Sequence, residues 1–87
     1  MKRRLRWERQ AQRDLDQLDR HNPRMAQRVR NAAELYADQE RGDVVKLTDR
    51  TGVYRLRVGD WRLLFGLEDG DLVIVALRVL NRRDAYR

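Results

Sequence analysis

At 87 residues the chain has room for one domain with a modest hydrophobic core. It has no cysteine and one histidine, His21, which excludes a disulfide framework, thiolate metal sites and most zinc or histidine-base chemistry. Its 20 basic and 14 acidic side chains leave a net charge of +6, and of the 20 only Lys2 and Lys46 are lysine.

Guanidinium groups make planar, bidentate contacts with phosphate and stack on bases, so this balance points to nucleic acid, an acidic protein partner, or both. The opening MKRRLRWERQ is basic, but no apolar run follows it to make a secretory signal. No window approaches the roughly 20 apolar residues that span a bilayer, so a cytoplasmic protein with no membrane partner is expected. Leu5 and Trp7 alternate with Arg4, Arg6 and Glu8, as in a short first strand. Ala11, Leu15 and Leu18 then recur at helical spacing. His21-Asn22-Pro23 ends that helix and begins another: Asn22 is a good N-cap, and proline at the first helical position loses no needed N–H. Ala26, Val29, Ala33 and Tyr36 form the buried stripe of the second helix, which is expected to stop before Gly42 as its left-handed exit residue.

From there the period changes. Val44, Val45 and Leu47 suit a short approach strand, followed by a polar turn over Thr48 to Gly52. Val53 to Phe65, VYRLRVGDWRLLF, reads as a strand, a Gly59-Asp60 turn and a returning strand. A two-residue turn pairs Val58 with Trp61, Arg57 with Arg62, Leu56 with Leu63, Arg55 with Leu64 and Tyr54 with Phe65. Because strand side chains alternate, Tyr54, Leu56, Val58, Trp61, Leu63 and Phe65 share an apolar face. Arg55, Arg57 and Arg62 share the other. Arginine opposite arginine is destabilising, which points to a polyanion rather than to folding as the reason for the pair. Glu68-Asp69-Gly70-Asp71 is a tight turn, and Leu72 to Leu80 is apolar enough for a strand buried on nearly both faces. The expected fold is α+β, a single domain over residues 1–87: a small antiparallel sheet in β-α-α-β-β-β order packed against an N-terminal helical hairpin.

The segments AQRDLDQLD, KLTDRTGVYRLRVGDWRLLF and RVLNRRDAYR, in that order, resemble the RelE/ParE superfamily of toxins from type II toxin–antitoxin systems. The resemblance spans essentially the whole chain, and the YRLRVGDWR block followed by NRRDAY is its specific part. It is closer to the RelE branch, which cleaves messenger RNA in the ribosomal A site, than to the gyrase-poisoning ParE branch. The resemblance implies metal-independent cleavage with no cofactor. A ribose 2′-hydroxyl attacks the adjacent phosphate, leaving a 2′,3′-cyclic phosphate and a 5′-hydroxyl. It also implies a cognate antitoxin, a toxin–antitoxin hetero-oligomer, and contact with ribosome and mRNA. The family's cleavage residues correspond here to Arg55, Arg57, Arg62, Arg82 and Tyr86, with Arg55, Arg57, Arg83 and Arg87 as RNA contacts. Tyr86 suits stacking on a base, and Arg62 the scissile phosphate. The Arg3, Arg4, Arg6 and Arg9 cluster suits either ribosomal RNA or a charged strand edge that discourages aggregation.

Two departures matter. Relatives often have lysine at Arg55 and Arg57, and arginine, which stays protonated in proteins, is a poor proton acceptor. Asn81 stands where many have histidine and cannot transfer a proton. Glu40, Asp43 and Asp49 are the candidate bases, though each reads more readily as an ordinary surface charge. A gyrase inhibitor of the same fold, or a basic RNA-binding module that does not cut, are the alternatives.

Overall fold

The computed structural model describes residues 2–85. In chain order the elements are β1 (Arg4–Trp7), α1 (Arg9–His21), α2 (Pro23–Gln39), β2 (Asp43–Lys46), β3 (Val53–Val58), β4 (Trp61–Glu68), β5 (Val73–Asn81) and the single turn α3 (Arg82–Ala85). One five-stranded sheet runs β1-β5-β4-β3-β2. It is antiparallel from β2 to β5, and β1 joins parallel to β5, with Arg4 beside Val73 and Trp7 beside Ala76. The approach segment at Val44 is a full strand, so four strands follow the helices. Hairpin turns fix the antiparallel pairs because they join neighbours in sequence. β1 reaches its partner from the far end of the chain, where no turn dictates direction.

Both helices lie on one face of the sheet. α1 buries Ala11, Leu15 and Leu18, and α2 buries Ala26, Val29, Ala33 and Ala37. Asn22 caps α2, its Oδ1 accepting from the Met25 N–H at 3.1 Å, with Pro23 in the first turn. The left-handed exit is Glu40, at φ 55, and not Gly42. A non-glycine residue there costs about 1 kcal/mol. Arg3 offsets it, forming an ion pair with Glu40 while lying over the Tyr36 ring. A β-bulge interrupts β4 and β5, where Leu64 pairs with Arg78 but Phe65 with Ala76, leaving Leu77 as the extra residue. Asp14 of α1 secures it, accepting from Val79 N–H at 2.9 Å and Arg78 Nε at 2.8 Å.

Between helices and sheet the core is built on Phe65, Leu15, Leu56, Leu63, Ile74 and Val29. Phe65 stacks on its cross-strand partner Tyr54 at 5.5 Å and meets Tyr36 at 5.3 Å. Removing that ring costs about 3–5 kcal/mol, a large share of the roughly 5–15 kcal/mol that holds a domain folded. Phe65→Ala should therefore be largely unfolded or unfold at very low urea; a midpoint near that of the wild type would show that the aromatic cluster is not the centre of the core.

Candidate functional site

The β3–β4 turn is two residues long, with positive φ at Gly59 (60°) and not at Asp60, so β3 and β4 pair in the register the sequence implies, Arg57 opposite Arg62. The helix-facing side carries Leu56, Val58, Leu63 and Phe65, all buried, with Tyr54 and Trp61 partly so. On the opposite side a row crosses the sheet from Asp43 through Arg57 and Arg62 to Leu80, and a second runs from Val45 through Arg55 and Leu64 to Arg78.

The three arginines of this face have different surroundings. Arg62 is only 4% exposed. Its Nη1 donates to the carbonyls of Gly59 at 2.9 Å and Trp61 at 3.0 Å, and its Nε is buried with no hydrogen-bond partner among the described residues. These carbonyls satisfy donors without supplying a negative charge. Arg57 is 57% exposed at its side chain, its Nε 3.8 Å from Asp43 Oδ2 across the β2–β3 pair. So long and exposed a contact is a loose one. Arg55 is partly buried. The Arg57–Arg62 opposition is thus eased within the fold, by Asp43 on one side and the turn carbonyls on the other.

Arg82 is the first residue of α3. Its N–H donates to the Asp60 carbonyl at 2.7 Å, joining the exit of β5 to the β3–β4 turn and bringing the exposed Arg82 and Arg83 to the end of the sheet that holds Arg57 and Arg62. Asn81 Oδ1 accepts from the Arg83 N–H at 3.2 Å, so its carbonyl oxygen caps a turn. Tyr86 and Arg87 lie outside the described residues. Of the three candidate carboxylates, Asp43 alone shares the arginine face. Glu40 is held by Arg3 at the end of α2, and Asp49 is exposed in the bend before β3. Arg3 and Arg6 of the N-terminal cluster are engaged with carboxylates, Arg6 with Glu8 and Glu68. Arg24 and Arg28 are not among the arginines the sequence pattern singles out: the fold carries Arg28 to the Gly59 turn, with Arg24 one helical turn before it. Their spacing of four, with no carboxylate between to answer them on that face, was the available signal. Among the described residues no group of three His, Asp or Glu side chains gathers as for a metal ion, and no helix is long and apolar enough to cross a membrane.

A family model described as the ParE toxin of type II toxin–antitoxin systems, parDE, matches residues 5–86. The toxin–antitoxin complex RelBE2 from Mycobacterium tuberculosis contains a similar chain, 29% identical, with a TM-score of 0.72 over 94% of this chain and 93% of that one. The archaeal RelE–RelB complex from Pyrococcus horikoshii OT3 gives 25% identity and a TM-score of 0.71 over 94% and 97%. The YoeB/ParE toxin from Agrobacterium tumefaciens, 14% identical, shares the fold, with a TM-score of 0.76 over 90% and 96%. No curated protein is significantly similar in sequence. With its two-helix, five-stranded fold and a family match over nearly its whole length, the chain belongs to the ParE toxin family of the RelE/ParE superfamily, the toxins of type II toxin–antitoxin systems.

Proposed function

We propose that this toxin is a metal-independent endoribonuclease that cuts mRNA in the ribosomal A site, and that a cognate antitoxin keeps it silent as a hetero-oligomer. The observation that carries the reading is the arginine row. Arg62 is a buried cation with no carboxylate partner among the described residues, Arg57 stands beside it on the next strand, and Arg82 reaches the same end of the sheet. A phosphodiester supplies the missing negative charge.

In the reaction the ribose 2′-oxygen bonds to phosphorus as the bond from phosphorus to the 5′-oxygen breaks. The 2′ proton leaves, and a proton reaches the departing oxygen. Arg57 and Arg62 hold the non-bridging oxygens and stabilise the charge that builds on them, an effect that grows where water is excluded. Arg55 grips a neighbouring phosphate along the same strand, and Arg82 stabilises the leaving oxygen electrostatically. Arg83 and Arg87 bind backbone, and Tyr86 stacks on a base. Asp43 is the carboxylate on this face to test as acceptor of the 2′ proton. The similarity to RelE chains of known complexes supports both the ribonuclease reading and the antitoxin. One observation favours a second reading, inhibition of DNA gyrase without RNA cleavage: the family model that matches is that of ParE.

Primer extension after induced expression separates the two. Cuts inside translated codons, absent with Arg82→Ala and Arg62→Met, are the expected result; intact transcripts in arrested cells, with supercoiling by purified gyrase inhibited, would establish the second reading. Arg62→Met should also leave stability within about 1 kcal/mol of the wild type, because removing a buried charge offsets the two carbonyl bonds lost. A much lower urea midpoint would mean that Arg62 serves the turn rather than a ligand.

A further inference from the structure

The connection between α1 and α2 and the Gly59-Asp60 turn meet at one end of the molecule. A Cβ placed on Gly59 would lie 3.4 Å from Met25 Cε and 3.7 Å from both terminal nitrogens of Arg28, so the start of α2 covers the β3–β4 turn. Leu18 and His21 of α1 line a groove with Trp61, Leu80 and Asn81, and Arg20 adjoins His21. Arg24 and Arg28, one helical turn apart, lie on the same face of α2. Both are exposed, and among the described residues neither forms an ion pair or side-chain hydrogen bond.

Their placement works against the helix. α2 has no acidic residue in its first turn and no basic one in its last, with Arg24 at the start and Asp38 at the end. The helix dipole favours the reverse at both ends, and like charges four residues apart repel. Acidic groups collect at the other end of the sheet: Glu68, Asp69 and Asp71 around the β4–β5 turn, and Asp38 beside the start of β1, where Arg3 N–H bonds to Ala37 O. Arg3 and Arg6 stand among these acids and pair with Glu40 and Glu68, so what sets the α2 start apart is basic charge placed against its own helix and left unanswered among the described residues.

We propose that Arg20, Arg24 and Arg28 form a second phosphate-binding surface, continuous around the Gly59-Asp60 turn with Arg57 and Arg82, that grips an RNA backbone beyond the nucleotides at the sheet face. The identity of the polyanion rests on the ribonuclease reading; the surface itself rests on the charge placement. RNA fits better than an acidic protein. Protein interfaces bury an apolar centre inside a charged rim, whereas the exposed large apolar residues Leu35, Val45 and Leu72 all lie away from this end. Besides Asp60 and Asp16, what this end exposes is guanidinium groups, suited to a backbone read by charge.

The test compares full-length wild type with the double variant Arg24→Gln/Arg28→Gln, freed from antitoxin. Binding is measured to a single-stranded RNA of about 20 nucleotides and to 70S ribosomes, from about 50 to 200 mM salt. The variant should bind about tenfold more weakly at low salt, with a log–log salt slope shallower by about 1.5, the loss of two phosphate contacts. Its melting temperature should not fall, since the removed charges oppose the α2 dipole. Weakening on both probes assigns the surface to single-stranded RNA such as the message, and weakening on ribosomes alone assigns it to ribosomal RNA. Unchanged affinity and slope on both overturn the surface, even if transcripts are cut by both proteins. A shallower slope with transcripts intact keeps the surface and removes the ribonuclease reading. Weakened binding of an acidic antitoxin peptide with RNA binding untouched would overturn the proposal in favour of a protein contact.

Discussion

Gly59 adopts φ 60, and that one backbone angle holds β3 and β4 in the register from which both faces of the sheet follow. Strand side chains alternate, so a slip of one residue would turn Leu56, Leu63 and Phe65 to solvent and drive Arg55 and Arg57 into the core. Left-handed conformation is nearly free for glycine and costs an ordinary residue about 1 kcal/mol or more. The same turn also serves as an anchoring point. Its Gly59 carbonyl receives the buried Arg62 guanidinium, and its Asp60 carbonyl receives the N–H of Arg82 from the exit of β5. Core, arginine row and the last element therefore depend on two adjacent residues.

What was legible in the sequence is what depends on neighbours along the chain. The five hairpin pairs follow from alternation and a Gly-Asp turn, the start of α2 from Asn22-Pro23, and the helix stripes from their spacing. What was not legible depends on partners brought in from far away. α2 ends at Glu40 rather than Gly42, where Arg3, from the other end of the chain, supplies a countercharge. Arg62 reads as an outward strand arginine, yet its side chain is buried and curls back to its own turn. The crowded arginines at the N-terminus draw the eye because they are adjacent, but folding delivers Glu40 and Glu68 to Arg3 and Arg6. Arg28 looks ordinary on a helix until the start of α2 is seen to cover the Gly59 turn.

Asp14 shows how the helical layer controls the far side of the sheet. Its side chain is 10% exposed, and it bonds Arg78 and the Val79 N–H where the bulge adds Leu77 to β5. A bulge shifts the alternation of everything beyond it. Past this point Leu80 joins the row of Arg57 and Arg62, and Asn81 pairs with Trp61 on the helix side. A carboxylate on α1 thereby sets the face on which β5 delivers its final residues, several of them candidates for the chemistry.

The place of β1 bears on how the protein is made. Among the described residues β1 pairs with β5 alone, so it has no sheet partner until the much later β5 has been made. Pairings of such long sequence separation form late and slowly, after the entropy of closing the chain has been overcome. The helical hairpin can form early from local contacts, but its sheet-facing side stays uncovered while translation continues. The sheet is completed only once β5 has emerged, which delays the assembled arginine end until that strand is made.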